Sequence, residues 1–274
     1  MGRFDGKVAL VTGASAGIGA ALVRELARQG AATVVVARRV GRLQDLEAEI
    51  AAAGGRALAV AADVTCDGDL ERAVALAVER FGRIDIAVAN AGFGVAGRVQ
   101  RLTVDDFRRQ LEVNLFGVLR TFYAALPELE RTHGVFAVMG SVAGYLPGPG
   151  TVPYATSKFA VRGLAESLRA ELAPSGVDVV LLTPGFVESD IRRTDNAGRL
   201  HEDAREPLPG WLVMPAATAA RKMARAISRR RREAVITAHG KLAVWLARHA
   251  PWLVAALARR TRRRRKPVPD DPTV

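Results

Sequence analysis

A tyrosine at 154 and a lysine at 158 stand four residues apart in the stretch PYATSKFAVRGLAESL. If that stretch is helical, both side chains lie on one face. An ammonium beside a phenol favours the phenolate, so the Tyr154 pKa is expected to fall from about 10 toward working pH. Such a tyrosine can give a proton to a carbonyl oxygen or take one from an alcohol. Ser141 can hydrogen-bond the same oxygen and orient it. The chain has 35 Arg and only 5 Lys, so a lysine at 158 points to a need for a compact, flexible ammonium.

A second group sits in TGASAGIG, residues 12–19. Gly13, Gly17 and Gly19 permit a tight turn, close approach of a pyrophosphate and tight helix–strand packing. Ser15, Ala16 and Ile18 complete the loop, and the next helix offers free backbone N–H groups to phosphates. The spacing is G-x-x-x-G-x-G, not the more common G-x-G-x-x-G. The second apolar run ends at Arg38 and Arg39, where an NAD-selective site places an acid. The first acid here is Asp45. Two guanidiniums suit the 2′-phosphate of NADP, so NADP(H) is expected, mainly through Arg38. A ligand-free glycine turn and a solvated arginine pair are the plain alternatives.

These groups need a frame to hold them. Short apolar runs at 7–12, 32–37, 57–62, 84–89, 135–139 and 177–183 alternate with helical patterns at 17–29, 40–53, 70–81, 103–131 and 154–172. Pro127 is expected to kink or shorten the fourth helical stretch. Nearly continuous apolar strands mean burial on both faces. The pattern predicts an α/β fold: a Rossmann-like, doubly wound parallel sheet flanked by helices, with ligands at the carboxyl ends of its strands. Residues 234–237 are expected to add a last strand.

The formal net charge of +12 is unevenly spread. Residues 221–274 carry 16 Lys and Arg against 3 Asp and Glu, net +13, while residues 1–220 carry net −1. The main domain therefore has no electrostatic footprint for nucleic acid. The single Cys66 excludes an intramolecular disulfide and a Cys-based zinc site, and fits a reducing, cytoplasmic setting. The opening MGRFDGK has no apolar core of a secretory signal. His133 and His201 have no metal-ligand company and read as surface residues.

The glycine turn, Asp63-Val64, Asn90-Ala91-Gly92, Asn114, Ser141, the Tyr154 to Lys158 segment and Pro184-Gly185 follow one another in the order of the short-chain dehydrogenase/reductase family. Over roughly residues 4–240 the chain resembles that family. The resemblance implies NAD(P)(H)-dependent hydride transfer between an alcohol and a carbonyl. It implies that Asp63 and Val64 contact adenine, that Asn90, Ala91 and Gly92 border the cofactor or brace the sheet, and that Asn114 supports a water-linked proton path to Lys158. By the same resemblance Pro184 and Gly185 end the sixth strand at the cofactor, and Val187 and Ser189 contact the nicotinamide amide, with Ser189 where the family more often has Thr. It also implies a homodimer or homotetramer packed through the helices around 103–131 and 154–172. A non-catalytic NADP-binding sensor or scaffold is the competing class, though pure binding needs no acid–base set.

The substrate segment is expected to include 186–212 and the loops after Gly92 and Ser141. Phe93, Val95, Tyr145, Leu146, Phe186, Trp211 and Leu212 are candidates to line it, which favours an apolar small molecule. The organisation expected is an oxidoreductase domain over 1–240, a basic amphipathic helical extension over 241–266 and a disordered tail over 267–274. In the extension, Leu242, Trp245, Leu246, Trp252, Leu253, Ala256 and Leu257 form an apolar stripe interrupted by Pro251, too short and too charged to span a bilayer. It could lie on an anionic membrane or pack against the domain or a second subunit. Nucleic-acid binding through the tail is a further alternative, and a weaker one.

Overall fold

The computed structural model describes residues 2–201, 203 and 208–254. Seven strands form one sheet: β1 (Val8–Thr12), β2 (Ala32–Ala37), β3 (Arg56–Ala61), β4 (Ile86–Ala89), β5 (Val135–Met139), β6 (Asp178–Thr183) and β7 (Glu233–Val235). Their order is β3-β2-β1-β4-β5-β6-β7, and every neighbouring pair is parallel. The chain order reverses between β1 and β4, and that switch point opens a crevice at the strand carboxyl ends.

Side chains alternate across the sheet and build two cores. Ala9, Val11, Val35, Val88 and Ala137 pack under α1 (Gly17–Arg28), α2 (Val40–Ala52) and α7 (Ala216–Ser228). Leu10, Val34, Val36, Ala87 and Phe136 pack under α3 (Asp69–Phe81), α5 (Gly117–Thr132) and α6 (Val152–Glu171). Both faces are covered, which is why the strands read as unbroken apolar runs.

Three features depart from the sequence expectation. Helix α4 (Val104–Leu111) passes into α5 through one π-helical turn, Glu112–Phe116, instead of one regular helix. Such single turns redirect side chains, and this one carries Asn114 into the interior. Pro127 does not end α5, which runs on to Thr132. Pro127 and Tyr123, whose carbonyl lies four residues back, are both exposed, so water can replace the missing donor. Helix α7 has no counterpart among the expected elements, although Ala219, Ala220, Met223, Ala224 and Ile227 give it a helical apolar stripe.

Helix α8 (Ala238–His249) starts just before the expected domain boundary and packs on β7 and the turn Val142–Gly144. Residues 255–274, which include Ala256, Leu257, the basic run 262–266 and the tail 267–274, lie outside the described residues.

Candidate active site

At the end of β1 the chain turns sharply through Gly13, at φ +66°. A Cβ there would stand 2.7 Å from the Ala91 Cα, and one on Gly19 would stand 2.3 Å from the Gly13 carbonyl. Only glycine allows this approach of turn, helix and β4. Gly17, at φ +54°, rests against Ser189. Helix α1 starts there without a side-chain cap and without an acid in its first turn. Its N–H groups and positive dipole end are left for an anion.

The turn is braced from β4. The Asn90 amide donates to the Thr12 carbonyl at 2.8 Å and the Gly13 carbonyl at 3.2 Å. The backbone N–H groups of Asn90 and Ala91 both donate to the Thr12 hydroxyl at 3.1 Å. Asn90 is therefore a sheet brace that also borders the cleft.

Beyond β2, the Arg39 guanidinium donates to the Ser15 hydroxyl at 3.0 Å. Arg38 is exposed and stands 3.6 Å from Asp63, whose other oxygen accepts from the Thr65 backbone at 2.9 Å. Two guanidiniums and a hydroxyl thus gather at the far end of the glycine turn.

On the other side of the cleft, Ser141 leaves β5 in extended backbone and accepts from the Ala143 N–H at 3.1 Å. The following turn presses on α6, for a Cβ on Gly144 would stand 2.7 Å from the Lys158 carbonyl. This contact sets Ser141 beside Tyr154, where its hydroxyl favours the phenolate. Lys158 is buried, donates to the Met139 carbonyl at 2.8 Å, and stands 5.8 Å from the Tyr154 ring centre. Asn114 is fully buried: its amide donates to the Phe93 carbonyl and the Ser157 hydroxyl, each at 3.1 Å, and its oxygen accepts from the Phe93 N–H.

One expectation is reversed. Burial holds the Tyr154 phenol above its ordinary pKa, with the Ser141 hydrogen bond and the Arg192 charge acting against it. The Lys158 ammonium, directed to the Met139 carbonyl, does not offset this burial. Its own burial pushes Lys158 down to about 8.

This carries a stability signature. Between about 8 and 10.5 the unfolded lysine holds a proton that the native lysine has lost, so stability rises with pH through that window. The gain, at 1.36 kcal/mol per unit, comes to about 2–4 kcal/mol. Lys158→Met is expected to lack it. Urea titrations of the cofactor-free proteins across that range should show the variant's relative stability falling as pH rises; a pH-independent difference would contradict the burial of a chargeable lysine.

All these groups line one cleft of about 1220 Å³. Gly13, Ser15, Ala16, Gly17, Ile18, Gly19, Arg38, Arg39, Asp63, Val64, Asn90, Ala91 and Gly92 form one limb. Asn114, Ser141, Tyr154, Lys158, Pro184, Gly185, Val187 and Ser189 form the other. The segment after Gly185 is fixed by Met214, which donates to the Phe186 carbonyl and accepts from the Glu188 N–H.

Of the expected substrate wall, Phe93, Val95, Leu146 and Phe186 line the cleft. Tyr145, Trp211 and Leu212 do not. Tyr145 turns to the sheet edge, where its hydroxyl donates to Glu233 and its ring lies between Arg162 and Arg248. Trp211 is exposed on a separate turn with Leu212. His133 and His201 are both exposed, and no metal-ligand cluster occurs among the described residues.

Sequence reasoning missed His239. At the start of α8 it stacks on Phe186 with ring centres 5.3 Å apart, and its Nε2 accepts from the Phe186 N–H at 3.1 Å. It lines the cleft beside Gly185, and burial lowers its pKa. No motif joins it to Tyr154. It also missed Arg192, which enters the substrate end and donates to the Val187 carbonyl at 3.0 Å.

A family model described as short chain dehydrogenase matches residues 7–200. The chain is 38% identical over 192 residues to an uncharacterised oxidoreductase of Methylorubrum extorquens, covering 69% of this chain and 77% of that one. It is 36% identical over 193 residues to the oxidoreductase UcpA of Salmonella typhimurium, covering 69% and 72%. Among solved structures, an alcohol dehydrogenase from the archaeon Thermococcus sibiricus, complexed with 5-hydroxy-NADP, superposes with a TM-score of 0.72 at 32% identity, over 84% of this chain and 95% of that one. A short chain dehydrogenase/reductase from Burkholderia phymatum in complex with NAD superposes with a TM-score of 0.81 at 27% identity, over 92% and 96%.

Proposed function

Because this chain belongs to the short-chain dehydrogenase/reductase family and is an oxidoreductase of CH–OH groups, we propose that it interconverts a carbonyl and an alcohol on an apolar small molecule, with NADP(H) as its cofactor and Tyr154 as proton donor and acceptor. The observation that carries this reading is the convergence of Ser141, Tyr154 and Lys158 in the cleft that begins at the glycine turn.

The cleft fits a dinucleotide. The uncapped start of α1 and the bare backbone at Gly13, Ala16, Gly17 and Gly19 suit a pyrophosphate, while Asp63 and Val64 suit the adenine end. Ser15, Arg38 and Arg39 would hold a 2′-phosphate, since no acid follows β2 to accept from a ribose hydroxyl. Pro184, Gly185, Val187 and Ser189 would face the nicotinamide amide. Relatives occur with either cofactor form, so the NADP preference rests on the two arginines.

When bound, the cofactor supplies or takes up hydride. The protein supplies the proton and the geometry. Tyr154 keeps its proton at neutral pH and can donate it to the carbonyl oxygen. Ser141, on the same side of the cleft, orients that oxygen. Lys158 stands below the Tyr154 ring and can support phenolate in the oxidation direction. Asn114 fixes Phe93 opposite them; its side chain is fully engaged, so a water-linked path to Lys158 would run through its main chain. Phe93, Val95, Leu146, Phe186 and Ile191 give the reacting end an apolar wall.

The same reading takes the chain as a homodimer or homotetramer packed through α4, α5 and α6, where Phe116, Tyr123 and Phe159 lie exposed. Cys66 is a free, exposed thiol, which suits a reducing, cytoplasmic compartment. A panel of ketones, aldehydes and secondary alcohols, followed by nicotinamide absorbance, tests the activity. Turnover of apolar members with NADP(H) is expected; none across the panel, despite tight cofactor binding, would favour a sensor.

A further inference from the structure

The chain's three tryptophans, Trp211, Trp245 and Trp252, are all exposed, although tryptophan is usually well buried. Two of them belong to the C-terminal helical segment. Helix α8 touches the domain along one side only. Val244 is 3% exposed, Gly240 sits against Thr237 and Val142, and Arg248 bonds Glu233 and Tyr145. Its other side carries Leu242 at 61% and Trp245 at 55% exposure, with Trp252 at 71% just beyond. Among the described residues only His249 meets one of these side chains, its ring 5.5 Å from that of Trp245, and no described helix is long and apolar enough to cross a membrane.

Cations occur beside this apolar strip. Lys241 and Arg248 lie on α8 itself. Beside it, a groove of about 590 Å³ at the β7 edge is lined by Arg169, Arg231, Arg232 and Arg248 with Glu166 and Glu233. Both glutamates are already engaged, Glu166 by Arg162 and Glu233 by Arg248 and Tyr145. Arg231 and Arg232 have no ion-pair partner among the described residues. A second copy of the chain that met this one at the β7 edge across a two-fold axis would set these arginines against their own kind. A nucleic acid would use the arginines and leave the tryptophans in water. A bilayer with anionic headgroups uses both.

The strip also has a direction. His239, Leu242 and Leu246 are spaced i, i+3, i+7 and so share a face. His239 lines the cleft and stacks on Phe186 at its substrate end. The outer face of α8 therefore starts at the mouth of the site.

We propose that α8 docks this protein on an anionic lipid bilayer, with Leu242, Trp245 and Trp252 entering the interface and Arg231 and Arg232 meeting lipid phosphates, and that the cleft draws its apolar carbonyl or alcohol from that membrane. The docking stands on the surface alone; the membrane-borne substrate rests on the oxidoreductase reading.

Full-length protein sedimented with vesicles of phosphatidylcholine, alone or mixed with phosphatidylglycerol, tests the docking. The expected result is recovery with the mixed vesicles, weaker at high salt, and roughly tenfold poorer for a Leu242→Ser/Trp245→Ser double variant and for Arg231→Ser/Arg232→Ser. NADPH affinity and turnover of a water-soluble ketone should be unchanged in both. Wild type left in the supernatant, or variants that pellet equally, would overturn the docking. So would a Leu242→Ser/Trp245→Ser variant that lowers the oligomeric state, because the strip would then belong to a second copy. A long-chain ketone is then offered in mixed vesicles and in neutral micelles. Faster reduction from vesicles is expected; equal rates would overturn the membrane route. Failure on the soluble ketone as well would strike the oxidoreductase reading and leave the docking result standing.

Discussion

Tyr154→Phe is expected to lower kcat by about 10³-fold, within the 10²–10⁴ that a positioned proton donor contributes, while NADPH binds as tightly as before. The ring and its contacts stay; only the hydroxyl is lost. Tyr154 is half-buried at the cleft wall, so no cavity forms and the fold should be unaffected. Single-turnover reduction of an apolar ketone, with NADPH affinity measured separately by fluorescence titration, separates the two effects. A variant that keeps a tenth or more of the wild-type rate would remove Tyr154 from the proton step.

The second large effect concerns the cofactor. Arg38→Asp places an acid where β2 ends, the position from which NAD-selective sites hold the ribose hydroxyls. A charge-assisted hydrogen bond contributes about 1.5–3 kcal/mol, so losing Arg38 alone is expected to lower kcat/KM for NADPH about 10- to 100-fold. The new carboxylate adds repulsion of the phosphate and a partner for ribose. The preference ratio between NADPH and NADH should therefore invert. Steady-state kinetics with both cofactors read it directly. An unchanged ratio would mean that Arg38 serves Asp63, 3.6 Å away, and not a phosphate.

The strands were legible because both sheet faces are buried. The runs at 32–37 and 135–139 coincide with β2 and β5. The glycine turn was legible because its conformation admits no other residue. Tyr154 and Lys158 were legible as neighbours on one helix face, but not the sign of the phenol's pKa. That sign depends on burial and on where the lysine points, neither of which spacing contains. Tyr145 was misplaced because nearness in sequence to Ser141 says nothing of Glu233, its partner 88 residues later. His239 was invisible for the same reason, as it reaches the site from a helix past the last motif. The π turn at Glu112–Phe116 leaves no composition signal, yet it decides that Asn114 faces inward. Helix α7 did leave one, in the stripe from Ala219 to Ile227.

The division of charge seen in the sequence acquires a structural meaning. The near-neutral part forms β1 to β6 and nearly all of the cleft, while Arg231, Arg232 and Arg248 line the β7 edge and Lys241 lies on α8. The basic surface is thus separate from the chemistry and adjoins its substrate end through His239.

The central claim is that this cleft moves hydride and a proton together between NADP(H) and a carbonyl. Its most direct measurement is isotope transfer. NADPH carrying deuterium at the transferable position is mixed in single turnover with an apolar ketone, and the product alcohol is read by mass spectrometry. Wild-type protein is predicted to deliver the deuterium to the carbinol carbon of one enantiomer, and Tyr154→Phe to deliver almost none. Tight NADPH binding with no label in any alcohol, from any carbonyl offered, would contradict the account and leave a protein that binds the cofactor without using it.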